Sequence, residues 1–109
     1  MVDVRFRPLF RLAVSGRSMV PAVAAGDRVL VWRTGRVREG DVVALRDPRQ
    51  PARTIVKRVA GVDEAGVVVL GDNPAESTDS RHFGPVPRSL VRGRVVYRYA
   101  PASRAGRVR

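Results

Sequence analysis

Short valine-rich runs cut by glycine and proline recur along nearly the whole chain, and this rhythm limits the fold more than any other feature. Residues 28–33 (RVLVWR), 41–46 (DVVALR), 54–62, 67–70 and 91–99 are such runs. β-Branched residues at this density favour strands, and clusters of Gly, Pro, Asn and Asp between them mark turns. The pattern predicts an all-β domain. Residues 34–40, the Pro-rich 47–52 and the turn at 63–66 read as connections, and 17–25 as one short helical turn around Pro21. Residues 71–87 are polar throughout and too long for a hairpin loop, a length that often marks function. With 109 residues, the chain forms one domain spanning 1–109.

Charge singles out one residue. The net charge is +11, and of the 21 basic side chains only Lys57 is a lysine. The arginines are scattered, with Arg104, Arg107 and Arg109 as a loose tail. Arginine stays protonated in proteins, whereas a buried lysine can lose its proton. Strand parity puts Lys57 on one face with Ile55 and Val59, while Val56 and Arg58 point the other way. Flanked by two β-branched apolar neighbours, its amine should be partly desolvated and its pKa lowered. A neutral amine near neutral pH is a general base.

Several chemistries are excluded. There is no cysteine and one histidine, His82. That rules out a Cys-His pair, disulfides and a zinc site of the usual His/Cys kind, so no metal or cofactor is expected. Gly61, Gly66 and Gly71 do not lead into a helix and so do not form a phosphate loop. His82 reads as a loop side chain and Trp32 as packing. The apolar stretch 8–14 is broken by Arg11 and falls far short of the roughly 20 residues a membrane span needs. No uninterrupted apolar core with a cleavage site marks a signal peptide. The expectation is a soluble, cytoplasmic chain, with membrane-peripheral contact through Val4, Phe6, Leu9 and Phe10 as the alternative.

Three blocks then match a known pattern in order. Gly16-Arg17-Ser18-Met19-Val20-Pro21, followed by Gly26-Asp27-Arg28-Val29, resembles the nucleophile segment of type I signal peptidases and their relatives. Lys57-Arg58-Val59 with Gly61 resembles their lysine segment. Gly71-Asp72-Asn73-Pro74-Ala75-Glu76-Ser77-Thr78-Asp79-Ser80-Arg81, continuing to Gly84-Pro85-Val86-Pro87, resembles their third block. Gly93-Arg94-Val95 fits the ending.

The resemblance implies a small, mostly antiparallel, barrel-like domain with little helix, of the type shared by signal peptidases and self-cleaving repressors. It also implies a serine protease with a Ser-Lys dyad. Ser18 would attack the scissile carbonyl and Lys57 would take its proton, a known variant of triad logic. The backbone N–H of Ser18 would help form the oxyanion hole. Ser77 would orient the lysine amine, Asp79 and Arg81 would form a supporting pair, and Asp72 would be a second supporting acid. Met19 and Pro21 would shape the turn. Gly16 stands where some members carry a serine that donates to the oxyanion. Pro74 stands where many bacterial members have Arg, which makes the third block more like mitochondrial inner-membrane peptidases.

Size and the absence of an anchor resemble the soluble maturation proteases of nickel-type superoxide dismutase. The expected partner is therefore a precursor protein that loses an N-terminal leader peptide. Signal-peptidase-like processing at the membrane is the alternative. A self-cleaving repressor is disfavoured because only 17 residues precede Ser18 and the Ala-Gly pairs all follow it. A nucleic-acid-binding β-domain is disfavoured by 6% aromatic content and no Arg-aromatic stacking run.

Overall fold

Each valine-rich run becomes a strand, and alternation along it decides which core it feeds. A computed structural model describes residues 8–109. Seven strands appear in order: β1 (Leu9–Ala13), β2 (Arg28–Trp32), β3 (Val42–Asp47), β4 (Gln50–Asp63), β5 (Gly66–Leu70), β6 (Val91–Ala100) and β7 (Gly106–Arg107). They form one antiparallel sheet in the order β1-β2-β6-β3-β4-β5, with β7 pairing β6. The domain is all-β and mostly antiparallel, as expected. The only α-helix among the described residues is one turn, α1 (Ser80–Phe83).

β3 is buried on both faces, and this makes two cores possible. Val42 and Ala44 join Val14, Met19, Val23, Val29, Val31 and Val95 in the first core. Val43 and Leu45 join Ile55, Val59, Val67, Val69 and Val86 in the second. The nucleophile segment packs on the first core through Met19, and Lys57 shares the face of β4 that builds the second. The site therefore lies where the two cores meet.

Two connections differ from expectation. The Pro-rich segment 47–52 is a tight turn rather than an open loop, because the Asp47 carboxylate accepts from the Arg49 N–H at 2.9 Å. β4 resumes at Gln50, which pairs with Asp47. The C-terminal arginines are not a loose tail. Arg104 reaches the buried carboxylate of Asp27 through Nε at 3.1 Å and Nη2 at 3.0 Å, and Arg107 pairs in register with Tyr97. Trp32 is 43% exposed rather than packed in the core, beside Leu9, its cross-strand partner, at 40%. Val4 and Phe6 lie outside the described residues.

Candidate active site

The turn bearing Ser18 is built on a closed base. Val14 N–H donates to Asp27 O at 2.8 Å and Gly26 N–H to Val14 O at 3.0 Å, so the chain leaves β1 and returns at β2. Gly16 sits at φ +77°, a left-handed conformation that disfavours any side chain. A hydrogen-bonded turn follows rather than the expected helical one, with Val23 N–H donating to Met19 O at 3.1 Å, and the Val20–Pro21 peptide is cis. Met19 is buried and Ser18 is half-exposed at the mouth of a cleft.

Lys57 is 5% exposed, flanked on its own face by buried Ile55 and Val59. Burial pushes its pKa down from the ordinary lysine value. The nearby Asp79 pulls it back up, and Arg49 and Arg53 push it further down. Among the described residues Nζ makes no hydrogen bond, and the side chain lines the same cleft as Ser18. The cleft encloses about 230 Å³ between Leu12, Ala13 and Val14 on one side and Thr54, Ile55 and Val56 on the other. A direct Ser18–Lys57 hydrogen bond is absent among the described residues. Catalytic hydrogen bonds are often long until substrate tightens the site.

The third block holds this arrangement together. Asp79 is fully buried. It accepts from Arg81 through Nε at 2.9 Å and Nη2 at 2.6 Å, from Gly71 N–H at 2.8 Å and from the Ser77 hydroxyl at 2.6 Å. Burial pushes its carboxyl up, but these hydrogen bonds outweigh burial and hold it far below the usual carboxylate range. Ser77 thus donates its O–H to Asp79 and keeps its lone pairs as acceptors. Asp72 pairs with Arg58 through two hydrogen bonds of 2.8 Å, which ties the end of β5 to β4 next to Lys57.

Asn73 supplies a latch that its type and position did not announce. Its N–H donates to Ser18 O at 2.8 Å and its side-chain amide to Arg17 O at 3.1 Å. Gly71 is needed for close approach rather than for its φ, since a Cβ there would lie 2.7 Å from Ser18 O and collide with the Ser77 hydroxyl. These contacts are set by tertiary approach, and only the block pattern hinted at them. His82 is a helix-cap partner, its Nδ1 accepting from Asp79 N–H at 3.3 Å. Among the described residues, no three His, Cys, Asp or Glu side chains are grouped to hold a metal, and no helix is long and apolar enough to cross a membrane.

A stability prediction follows from Asp79. Its folded pKa is depressed, so its contribution is present above the unfolded value near 3.9 and is lost as pH falls further. Asp79→Ala strips the carboxylate from Gly71, Ser77 and Arg81 and should cost about 2–4 kcal/mol at neutral pH. Thermal melts of both proteins at pH 7 and below pH 4 check this. The gap between them should narrow in acid, and an equal gap at both would show that Asp79 is not held ionised by its partners.

Comparison with known proteins agrees with this geometry. A family model described as signal peptidase, peptidase S26, matches residues 1–66 and 60–100. Mitochondrial ATP-independent inner membrane protease subunit 1a of Arabidopsis thaliana is 38% identical over 123 residues, covering 88% of this chain and 73% of that protein. Mitochondrial inner membrane protease subunit 2 of Schizosaccharomyces pombe is 38% identical over 120 residues, covering 87% and 67%. Subunit 1 from Mus musculus is 34% identical over 119 residues, covering 87% and 72%. With the family match spanning most of the chain and relatives aligned over most of their own length, the chain belongs to the S26 signal peptidase family of proteases.

Proposed function

We propose that this protein is a serine endopeptidase with Ser18 as nucleophile and Lys57 as general base, and that it trims precursor proteins at a membrane in the manner of signal peptidases. The observation that carries the reading is that the chain's one lysine is buried, with a lowered pKa, in the cleft that Ser18 also lines. Neutral Nζ takes the Ser18 proton as Oγ attacks the carbonyl carbon, and returns it to the leaving amine. Water then attacks the acyl-enzyme, with Lys57 again as base. Ser18 N–H donates to no group among the described residues, which leaves it free for the oxyanion. Ser77, its O–H donated to Asp79, can accept from Nζ and aim it. Asp79 with Arg81, and Asp72 with Arg58, hold the third block against the dyad.

The membrane setting rests on the relatives, which are inner membrane protease subunits by name, and on one surface feature. Leu9, Trp32 and Tyr97 are the exposed large apolar side chains among the described residues, and they lie on the neighbouring strands β1, β2 and β6. β1, β2, β6 and β7 carry Arg11, Arg28, Arg92, Arg94, Arg98 and Arg107 and no acid. Aromatic and arginine side chains together suit a membrane interface. This favours the membrane alternative over the cytoplasmic expectation, and the relatives lend no support to the nickel superoxide dismutase leader as substrate.

The test offers the purified chain two synthetic peptides, one spanning a signal-peptide cleavage region and one spanning the leader junction of a nickel superoxide dismutase. Mass spectrometry reads the products. Cleavage of the first at one bond is expected; cleavage of the second alone would reverse the substrate reading.

A further inference from the structure

Positive charge in the cleft exceeds what the dyad requires. Arg17, Arg49 and Arg53 line it beside Lys57, and Glu76 is the one carboxylate in the lining. Two of these arginines are already paired. Arg17 Nε donates to Glu76 at 2.6 Å. Arg49 grips buried Asp47 through Nε at 3.1 Å and Nη2 at 2.9 Å, and lies 5.6 Å from the Phe83 ring. Arg53 is exposed and makes no hydrogen bond or ion pair among the described residues.

Arg53 stands just before the regular part of β4. Pairing with β3 is regular from Thr54 to Arg58 and its register shifts before Thr54, so Arg53 sits at the exposed, irregular end of the row that buries Ile55 and Lys57, and it lines the cleft with them. Four residues of strand rise about 13 Å. An extended peptide lying along the cleft would therefore bring a side chain to Arg53 about four residues from the bond Ser18 attacks.

More cations gather at the same end. Arg92 Nη1 donates to Thr54 Oγ1 at 3.0 Å, and Arg92 and Arg33 stack on Phe10 at 4.4 and 4.5 Å. Burial, with Arg46 and Arg33 nearby, lowers the Arg92 pKa. None of Arg33, Arg46 and Arg92 forms an ion pair with a carboxylate among the described residues. Arg33, Arg46 and Arg92 lie outside the cleft lining, and Asp47, the carboxylate that Arg53 acts on, is already held by Arg49, so this end carries net positive charge.

We propose that the cleft selects peptides with an acidic side chain about four residues from the scissile bond, and that Arg53 is the residue that reads it. The inference rests on the reading of this cleft as a protease active site. A guanidinium matches a carboxylate in charge and in forked geometry. Because Arg53 is exposed, the preference should be about two- to fivefold and should weaken with salt.

The experiment digests a library of random peptides with wild type, Arg53→Gln and Arg53→Glu, and sequences the products on both sides of each cut. Peptides compete within one reaction, so a general rate change through Lys57 cancels. Wild type should enrich Asp and Glu about two- to fivefold at a position three to five residues from the cut. Arg53→Gln should lose that enrichment, and Arg53→Glu should replace it with Lys and Arg. A library cut without acid enrichment there, or with the same enrichment in Arg53→Gln, overturns the proposal and leaves the protease reading intact. A library that wild type leaves uncut contradicts the protease reading, and the proposal falls with it.

Discussion

Ser18→Ala should cut the rate of peptide cleavage by about 10⁴-fold or more while leaving the fold in place. The attacking atom is removed, and no other nucleophile stands ready. Ser15 and Thr78 also line the cleft, but Ser18 alone follows the left-handed Gly16 in the turn and has its carbonyl held by Asn73 N–H. Stability should change by less than about 0.5 kcal/mol, since the residue is half-exposed and its hydroxyl bonds to nothing among the described residues. The check is a cleavage assay beside a thermal melt. Near-normal cleavage by a folded Ser18→Ala protein would remove Ser18 from the mechanism.

Most of the sheet was legible because period-2 burial is written directly in valine placement. In β4 the sequence itself alternates Ile55, Lys57 and Val59 with Val56 and Arg58, and burial follows it. β1 was less plain, since its exposed Leu9 and Arg11 and half-buried Phe10 and Leu12 give a weak pattern at a sheet edge. The 47–52 segment misled because Pro51 suggested an open loop, whereas the Asp47 side chain closes the turn. The Arg104–Asp27 pair joins residues 77 apart, a separation no local signal bridges, and β7 is two residues long, too short to show an alternation.

The candidate site was legible as a list of residues but not as an assembly. Ser18, Lys57, Ser77 and Asp79 came from block order. Their convergence depends on Gly71, whose lack of a side chain lets Ser77 approach the Ser18 carbonyl, and on Asn73, whose two donors pin the nucleophile turn. Such roles belong to tertiary distance. The positive charge around Arg53 was likewise lost in a chain whose arginines look evenly scattered.

Lys57→Arg should be as damaging as loss of the amine, a fall of roughly 10²–10⁴-fold, although it keeps the charge and much of the length. Guanidinium does not give up its proton, so it cannot receive one from Ser18. If Lys57 only supplied positive charge, the change would be nearly silent. Lys57→Met separates chemistry from packing, since it fills similar space without a base and should match Lys57→Arg in rate. Melting curves on both variants show whether a lost rate reflects a lost fold.

The most direct measurement is the cleavage rate of wild type and Lys57→Arg across pH, from about pH 6 to about pH 10. The pKa of Lys57 is lowered, so wild type should gain about tenfold per pH unit below it and level off before the ordinary lysine value is reached. Lys57→Arg should stay low and show no such rise. Comparable rates for the two proteins, or a wild-type rate that ignores pH over this range, would contradict Lys57 as the base and the Ser-Lys account with it.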